Sequence, residues 1–485
     1  MSTRVRLEYL KQTLANNFVV QVAGKALSVV FGLISVGLLT RALGQEGFGQ
    51  YTTAITFLQL FGVIVDFGLT LTLVVMISEP GVDEERVVGN IFGLRLITGC
   101  LVFGLSPVIV LAFPYSHTVK LAVLIGAFGY VAMAGAALLV GVFQKHAVVW
   151  RASLAEFVNR LVLVLLISVF FFLHLGVIAM IIATVGANIA WLLLTLFLAR
   201  PLVKIVPRID GFIWKKALAQ SWPIALSIAF NLIYLKGDTL FLSLYRSPAE
   251  VGVYGLAYRV IDVLTVLPTI FMGLLLPSLV ADWAKGGREE FGRHLARAFD
   301  VFAMIFLPVV IGAQTVAIPL TRLIAGKGFE ESGSILRLLI VAVVGVFLGN
   351  LYGHAVVALK QQRRMMWGYG AVAVLSVIGY RLLIPPYGMW GAAAITIASE
   401  STIAFLTFLM VWKTSHVLPR LGVFFKALLS ALAMALVLRL LPPMPVLAAI
   451  LIGAIVYFAS LLLTKAVSPA SIKDLMPRKL AKHGG

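Results

Sequence analysis

Twelve ionisable side chains fall inside apolar stretches long enough to cross a membrane. The bases are Lys25, Arg95, Arg160, Lys236, Arg259 and Arg337; the acids are Asp66, Glu156, Asp238, Asp262, Asp300 and Glu400. Each costs about 2.5–3.5 kcal/mol to place in hydrocarbon, so such residues are the first candidates for chemistry. A base at that depth can hold an anionic group. A carboxylate in a low dielectric can exchange a proton or bind a cation near neutral pH, which makes Asp66, Asp238, Asp262 and Glu400 candidates for ion coupling. Lys25 stands nine residues into the first stretch, too deep to snorkel. It either binds an anionic head group or pairs with Asp66 or Asp262.

The richest segment surrounds the turn at Ser247-Pro248. Asp238 lies ten residues before it and Arg259 eleven after, so the two share a depth; Lys236 and Asp262 do so at twelve and fourteen. Two cross-hairpin ion pairs are expected. They are either static or exchange their bases with an anionic ligand, which makes Lys25, Lys236 and Arg259 the candidate binding residues. Plainer roles suit the others. Arg95, Arg337 and Asp300 sit near span ends and are expected to snorkel to the interface, and Glu156 with Arg160 has the spacing of an intrahelical pair.

These residues are positioned by a chain that is 61% hydrophobic and only 12% charged, which excludes a soluble enzyme, a disordered chain and a coiled coil. Fourteen stretches of about 20 apolar residues suit membrane helices: 16–40, 49–77, 90–113, 119–143, 153–172, 176–198, 217–244, 251–280, 297–320, 333–359, 367–384, 388–412, 422–441 and 446–463. The runs are continuous rather than alternating, which excludes a β-barrel. With the N-terminus inside, inner stretches carry 26 Lys and Arg against 7 at the outer ends. Both termini are therefore expected in the cytoplasm. The formal charge of +19 concerns topology and anionic lipid, including a basic tail with Lys473, Arg478, Lys479 and Lys482, rather than nucleic acid. The outer loops are short, about 3–10 residues, and leave no room for a catalytic domain.

No P-loop, His-Glu-x-x-His, Cys-x-x-Cys or Gly-x-Ser-x-Gly occurs, and the single Cys100 and seven scattered histidines form no ligand set. No metal or cofactor is expected. Gly345, Gly349 and Gly353 share one helix face and indicate close packing. Pro268, Pro277, Pro308 and Pro319 can kink their helices. A weak echo relates Arg41 to Tyr51 with Arg246 to Tyr254: an Arg closes one helix and Gly-x-Tyr opens the next. Two six-helix bundles would be a transporter design. The expected division is an N-terminal lobe 1–199, a cytoplasmic linker 200–216, a C-terminal lobe 217–412, and an extra helix pair with the tail at 413–485.

Leu39 to Gly44 with Phe48 to Tyr51, Asp66 to Leu69, Asp238 to Leu242 with Val251 to Tyr254 and Ala257 to Arg259, and Ile384 to Gly388 with Trp390 to Ala394 and Ser399-Glu400 occur in order along the chain. Together they resemble the polysaccharide flippase (Wzx-like) family. Its superfamily also holds the MATE multidrug exporters and the lipid II flippases. The resemblance implies an all-α polytopic protein whose two lobes form a V around a central cavity. It implies an inner-membrane flippase that moves a polyprenyl-diphosphate-linked oligosaccharide from the inner to the outer leaflet by alternating access. The bases would then meet the diphosphate, H⁺ or Na⁺ would couple transport, and polysaccharide assembly machinery would be a partner. The alternative within the superfamily is a cation-coupled multidrug exporter. A polytopic glycosyltransferase or polymerase would need the outer loop this chain lacks. A passive scaffold would tolerate neutralisation of every deep charge.

Overall fold

The structure is a computed structural model that describes residues 3–466. The basic tail and the side chains at 3–23, 25, 26, 223, 224 and 227, Lys25 among them, lie outside the described residues. The described residues form fourteen α-helices: α1 Thr3–Asp66, α2 Leu69–Ile77, α3 Glu84–Leu111, α4 His117–Lys145, α5 Trp150–Phe172, α6 Val177–Ala199, α7 Gly211–Tyr245, α8 Pro248–Ala284, α9 Arg288–Ala325, α10 Glu330–Leu339, α11 Ala342–Ala358, α12 Gln362–Ser415, α13 Gly422–Leu440 and α14 Val446–Leu463. A 3-10 turn at Lys327–Phe329 precedes α10, and no strand occurs among the described residues.

Among the described residues ten helices are long and apolar enough to cross a membrane, or eleven if α10 and α11, bent by 47°, form one span. The protein is thus a multi-pass membrane protein. The fourteen apolar stretches fall on these helices in order. α1 with α2, and α12, each hold two of them, because the chain reverses at Gly44 (φ 63°) and Gly388 (φ 55°) while hydrogen bonding runs on past the kink. Starts are fixed by side chains: Asp83 caps α3 by accepting from the Arg86 amide, Ser116 caps α4, and Asp210 accepts from the amides of Phe212 and Ile213 at the start of α7. α8 and α9 run through their internal prolines as continuous helices.

The chain forms two compact units: 1–256 with 324–329 and 369–395, and 257–323 with 330–368 and 396–485. In the first, Phe48, Phe57, Leu58, Phe103 and Ile181 anchor one core, and Leu73, Val88, Ile91, Leu138 and Val142 a second. In the second, Phe302 and Phe306 pack edge-on against Phe347. The glycine face of α11 meets α12: a Cβ at Gly345 would lie 2.7 Å from the carbonyl carbon of Glu400.

The segment between α6 and α7 is laid along α3 as a strap. The Arg208 amide donates to the Gly89 carbonyl (3.0 Å), and Cβ atoms at Gly89 and Gly93 would fall 2.4 Å from the Val206 oxygen and 2.5 Å from the Arg208 oxygen. The Trp214 indole donates to the Asn90 carbonyl, and ion pairs Arg86–Asp210 (2.7 Å) and Lys216–Glu79 (2.6 Å) flank it. The Arg86 guanidinium, with the helix-capping amides, holds the Asp210 carboxyl below its ordinary range. Because that pKa is lowered by folding, the pair's contribution is complete above the ordinary carboxylate pKa of about 4 and drains as pH falls through the lowered value. Hydrogen exchange at the Arg208 amide should accelerate, beyond its intrinsic rate, on acidification through that range. Asp210→Asn should remove the acid dependence.

Candidate functional site

In the first unit a buried ion pair joins α1 to α3. Arg95 is 3% exposed, against the expectation that it snorkels: it reaches inward to the Asp66 carboxylate (2.8 Å) instead of outward to the interface. Its remaining donors go to the carbonyls of Val65 (2.8 Å) and Ala134 (3.2 Å), and Thr70 donates to Asp66 (2.9 Å). A guanidinium has enough donors to satisfy three acceptors at once, so the pair welds the end of α1 to α3 and α4. Asp66, an expected coupling residue, is therefore engaged by a base whose place in the sequence points to the interface.

Asp238, on α7, is fully buried. The Tyr254 hydroxyl donates to its Oδ2 (2.6 Å), and the Thr239 hydroxyl to its Oδ1 (3.1 Å). Tyr254 carries no charge to draw attention; its place in the Gly-x-Tyr echo is the only sign. Lys236 is half-buried two residues earlier. Behind this stretch the Tyr380 hydroxyl donates to the Tyr234 carbonyl (2.7 Å) and holds α12 on α7. Tyr115, in the α3–α4 turn, is hydrogen-bonded to Ser243 (2.8 Å), and burial pushes its phenol up to about 12, so it keeps its proton.

Four turns gather at one end of this unit. Gln45 donates to the Gly328 carbonyl, Arg246 to the Pro386 carbonyl (3.1 Å), and the Met389 amide to Glu250 (2.7 Å). Arg246 also pairs with Glu250 at 3.7 Å. A cleft of 740 Å³ lies among Arg41, Gly44, Gln45, Glu46 and Phe329.

The second unit holds the remaining candidates. Arg259 stands eleven residues into α8, about 16 Å along its axis. It pairs with Asp262 one turn on, at 3.6 Å, and the two side chains are 32% and 35% exposed. Charged side chains at such depth almost always face the bundle interior or a water-filled cavity. Farther along α8 the Thr269 hydroxyl reaches Asn350 on α11 (3.4 Å), and the His354 ring is bonded to the Asn350 carbonyl (2.8 Å). Glu400 is 5% exposed, under Gly345. Among the described residues no group of three or more His, Cys, Asp and Glu could hold a metal ion.

Residues 14–281 match the family model of polysaccharide biosynthesis proteins. The probable flippase AglR of Haloferax volcanii is 25% identical over 204 residues, 41% of this chain and 43% of that protein, so the match spans under half of its length. Among solved structures, the lipid II flippase MurJ in an inward closed conformation superposes with a TM-score of 0.77 at 16% identity, covering 92% of this chain and 99% of that one. A MATE-family multidrug resistance transporter in an inward-facing conformation gives 0.67 at 16%, covering 82% and 98%. A MOP-superfamily transporter from Pyrococcus furiosus gives 0.59 at 14%, covering 84% and 96%. At these identities the structural likeness is one of fold.

Neutralising one partner of a buried ion pair leaves a stranded charge and costs about 3–5 kcal/mol when burial is complete. Asp66 is 27% exposed, so Asp66→Asn should cost less than that. It should still lower the melting temperature of the purified protein clearly. Asp66→Asn with Arg95→Met should recover most of the loss. A single variant that melts like the parent would show the pair to be dispensable.

Proposed function

The chain belongs to the polysaccharide biosynthesis protein family, and on that premise we propose that it is a secondary-active flippase for a polyprenyl-diphosphate-linked oligosaccharide. The observation that carries the reading is the Arg259–Asp262 pair: a loose 3.6 Å contact, a third exposed, about a third of the way along an apolar helix. A base held that lightly can leave its carboxylate for a diphosphate, which presents more acceptors and more charge. Lys25 and Lys236 would supply further positive charge. The direction, from the inner to the outer leaflet, is the one the family resemblance implies. The Lys and Arg distribution favours both termini on the cytoplasmic side of the inner membrane, and in this reading substrate enters from the inner leaflet and leaves from the outer. The lobes 1–199 and 217–412 alternate access around it, joined by the linker 200–216, whose first part is the strap and whose end is the first turn of α7.

Of the candidate carboxylates Asp66, Asp238, Asp262 and Glu400, Asp262 is the one seen against the loosely held Arg259, and coupling to H⁺ or Na⁺ is assigned to it first. Protonating Asp262 would release Arg259 to the substrate, and deprotonation on the other side would draw it back, which makes the two occupancies mutually exclusive. A cation-coupled drug exporter has the same fold in its favour, but Arg259 would repel a cationic drug.

The test is flipping in proteoliposomes carrying lipid-linked oligosaccharide. Arg259→Ala should slow flipping by about tenfold or more, the equivalent of ~1.4 kcal/mol, with its melting temperature kept. Parental flipping by that variant would overturn the substrate assignment. Export of small cations without flipping would establish the second reading.

A further inference from the structure

The two turns with echoing sequences meet each other. A Cβ at Gly49 would fall 1.6 Å from the carbonyl oxygen of Pro248, four residues before Gly252; a Cβ at Gly252 would fall 2.1 Å from the carbonyl oxygen of Gln45, four residues before Gly49. The contact is reciprocal, each glycine resting on the carbonyl one turn ahead of the other. One turn farther, a Cβ at Gly255 would lie 3.0 Å from the Thr52 methyl, and Thr52 is 4% exposed. Backbone lies against backbone where the two helices cross, and the carbonyls already accept within their own helices. Such a crossing can part without stranding a charge, and a single added methyl prevents it from closing.

Each glycine is followed two residues later by a buried tyrosine. Two residues turn a helix by about 200°, so each tyrosine faces away from the crossing. Tyr51 is bonded to Thr184 on α6 (3.0 Å), and Tyr254 donates to Asp238 on α7 (2.6 Å). Each helix start is thus pinned from behind while its glycine faces the other.

We propose that this crossing is the gate at the outer end of the transport path, and that Tyr254 and Asp238 are its positioning residues. They fix the rotation of α8 so that Gly252 seats against Gln45, and they do not touch the substrate. The gate assignment rests on the transport reading above; the crossing and its dependence on Tyr254 can be measured without it. Asp238 then serves closure rather than ion coupling.

The test places one thiol in the crossing: Thr52→Cys, with the single native Cys100 changed to Ser, in detergent-purified full-length protein. Maleimide labelling should be slow when the crossing is shut. Gly252→Ala should speed it by about tenfold or more, a shift of ~1.4 kcal/mol in the closing equilibrium. Tyr254→Phe, which keeps the ring and loses the hydrogen bond, should speed it in the same direction. Asp238→Asn keeps an acceptor for Tyr254 and should label slowly. Elution and melting temperature identify any variant that has simply unfolded, and Tyr254→Phe decides the matter if Gly252→Ala is lost that way. Unchanged labelling in folded Tyr254→Phe, or fast labelling in Asp238→Asn, would overturn the positioning role. Labelling is read without substrate, so a parent protein that fails to flip lipid-linked oligosaccharide sinks only the transport reading.

Discussion

A charge in hydrocarbon must be paired or must face water, and the deep charges of this chain divide along that line. Arg95 is buried and closes on Asp66, with its spare donors spent on two carbonyls. Arg259 remains a third exposed and only loosely held by Asp262. The first arrangement fixes helices to one another. The second leaves a cation with somewhere else to go, and a transport role depends on that freedom.

Much of the fold was legible in the sequence because hydropathy and turn chemistry are local. Apolar runs of about 20 residues marked the spans, while the capping roles of Asp83 and Asp210 came from the structure. Gly44 and Gly388, which reverse the chain inside apparently continuous helices, stand where one apolar run gives way to the next. The stripe from Gly345 foretold close packing, and the structure supplies its partner, the backbone at Glu400.

The site was legible in composition but not in pairing. Depth along a helix tells which charges are costly, not which side they face. Arg95 lay near a span end and read as interfacial; its neighbours on α1 and α4, unknowable from spacing, draw it inward. Asp238 and Arg259 shared a depth, which invited a cross-hairpin pair. Instead an uncharged phenol, Tyr254, donates to Asp238, and Arg259 meets Asp262 along its own helix. The Arg41 and Arg246 hairpins could be seen to echo each other, but about 200 residues separate them, and only the folded chain brings Gly49 onto Pro248.

A division of labour follows. Asp66 with Arg95, and the strap along α3, hold the framework of the first unit, and Asp238 acts through Tyr254. On the proposed reading, Arg259 would meet the anionic substrate, with Asp262 as the competitor to be displaced. Binding of a polyprenyl diphosphate and of the matching uncharged polyprenol to the protein in nanodiscs is the most direct measure of that role. The parent should prefer the diphosphate, and Arg259→Ala should bind the two lipids alike. An undiminished preference for the diphosphate in Arg259→Ala would contradict the assignment of Arg259.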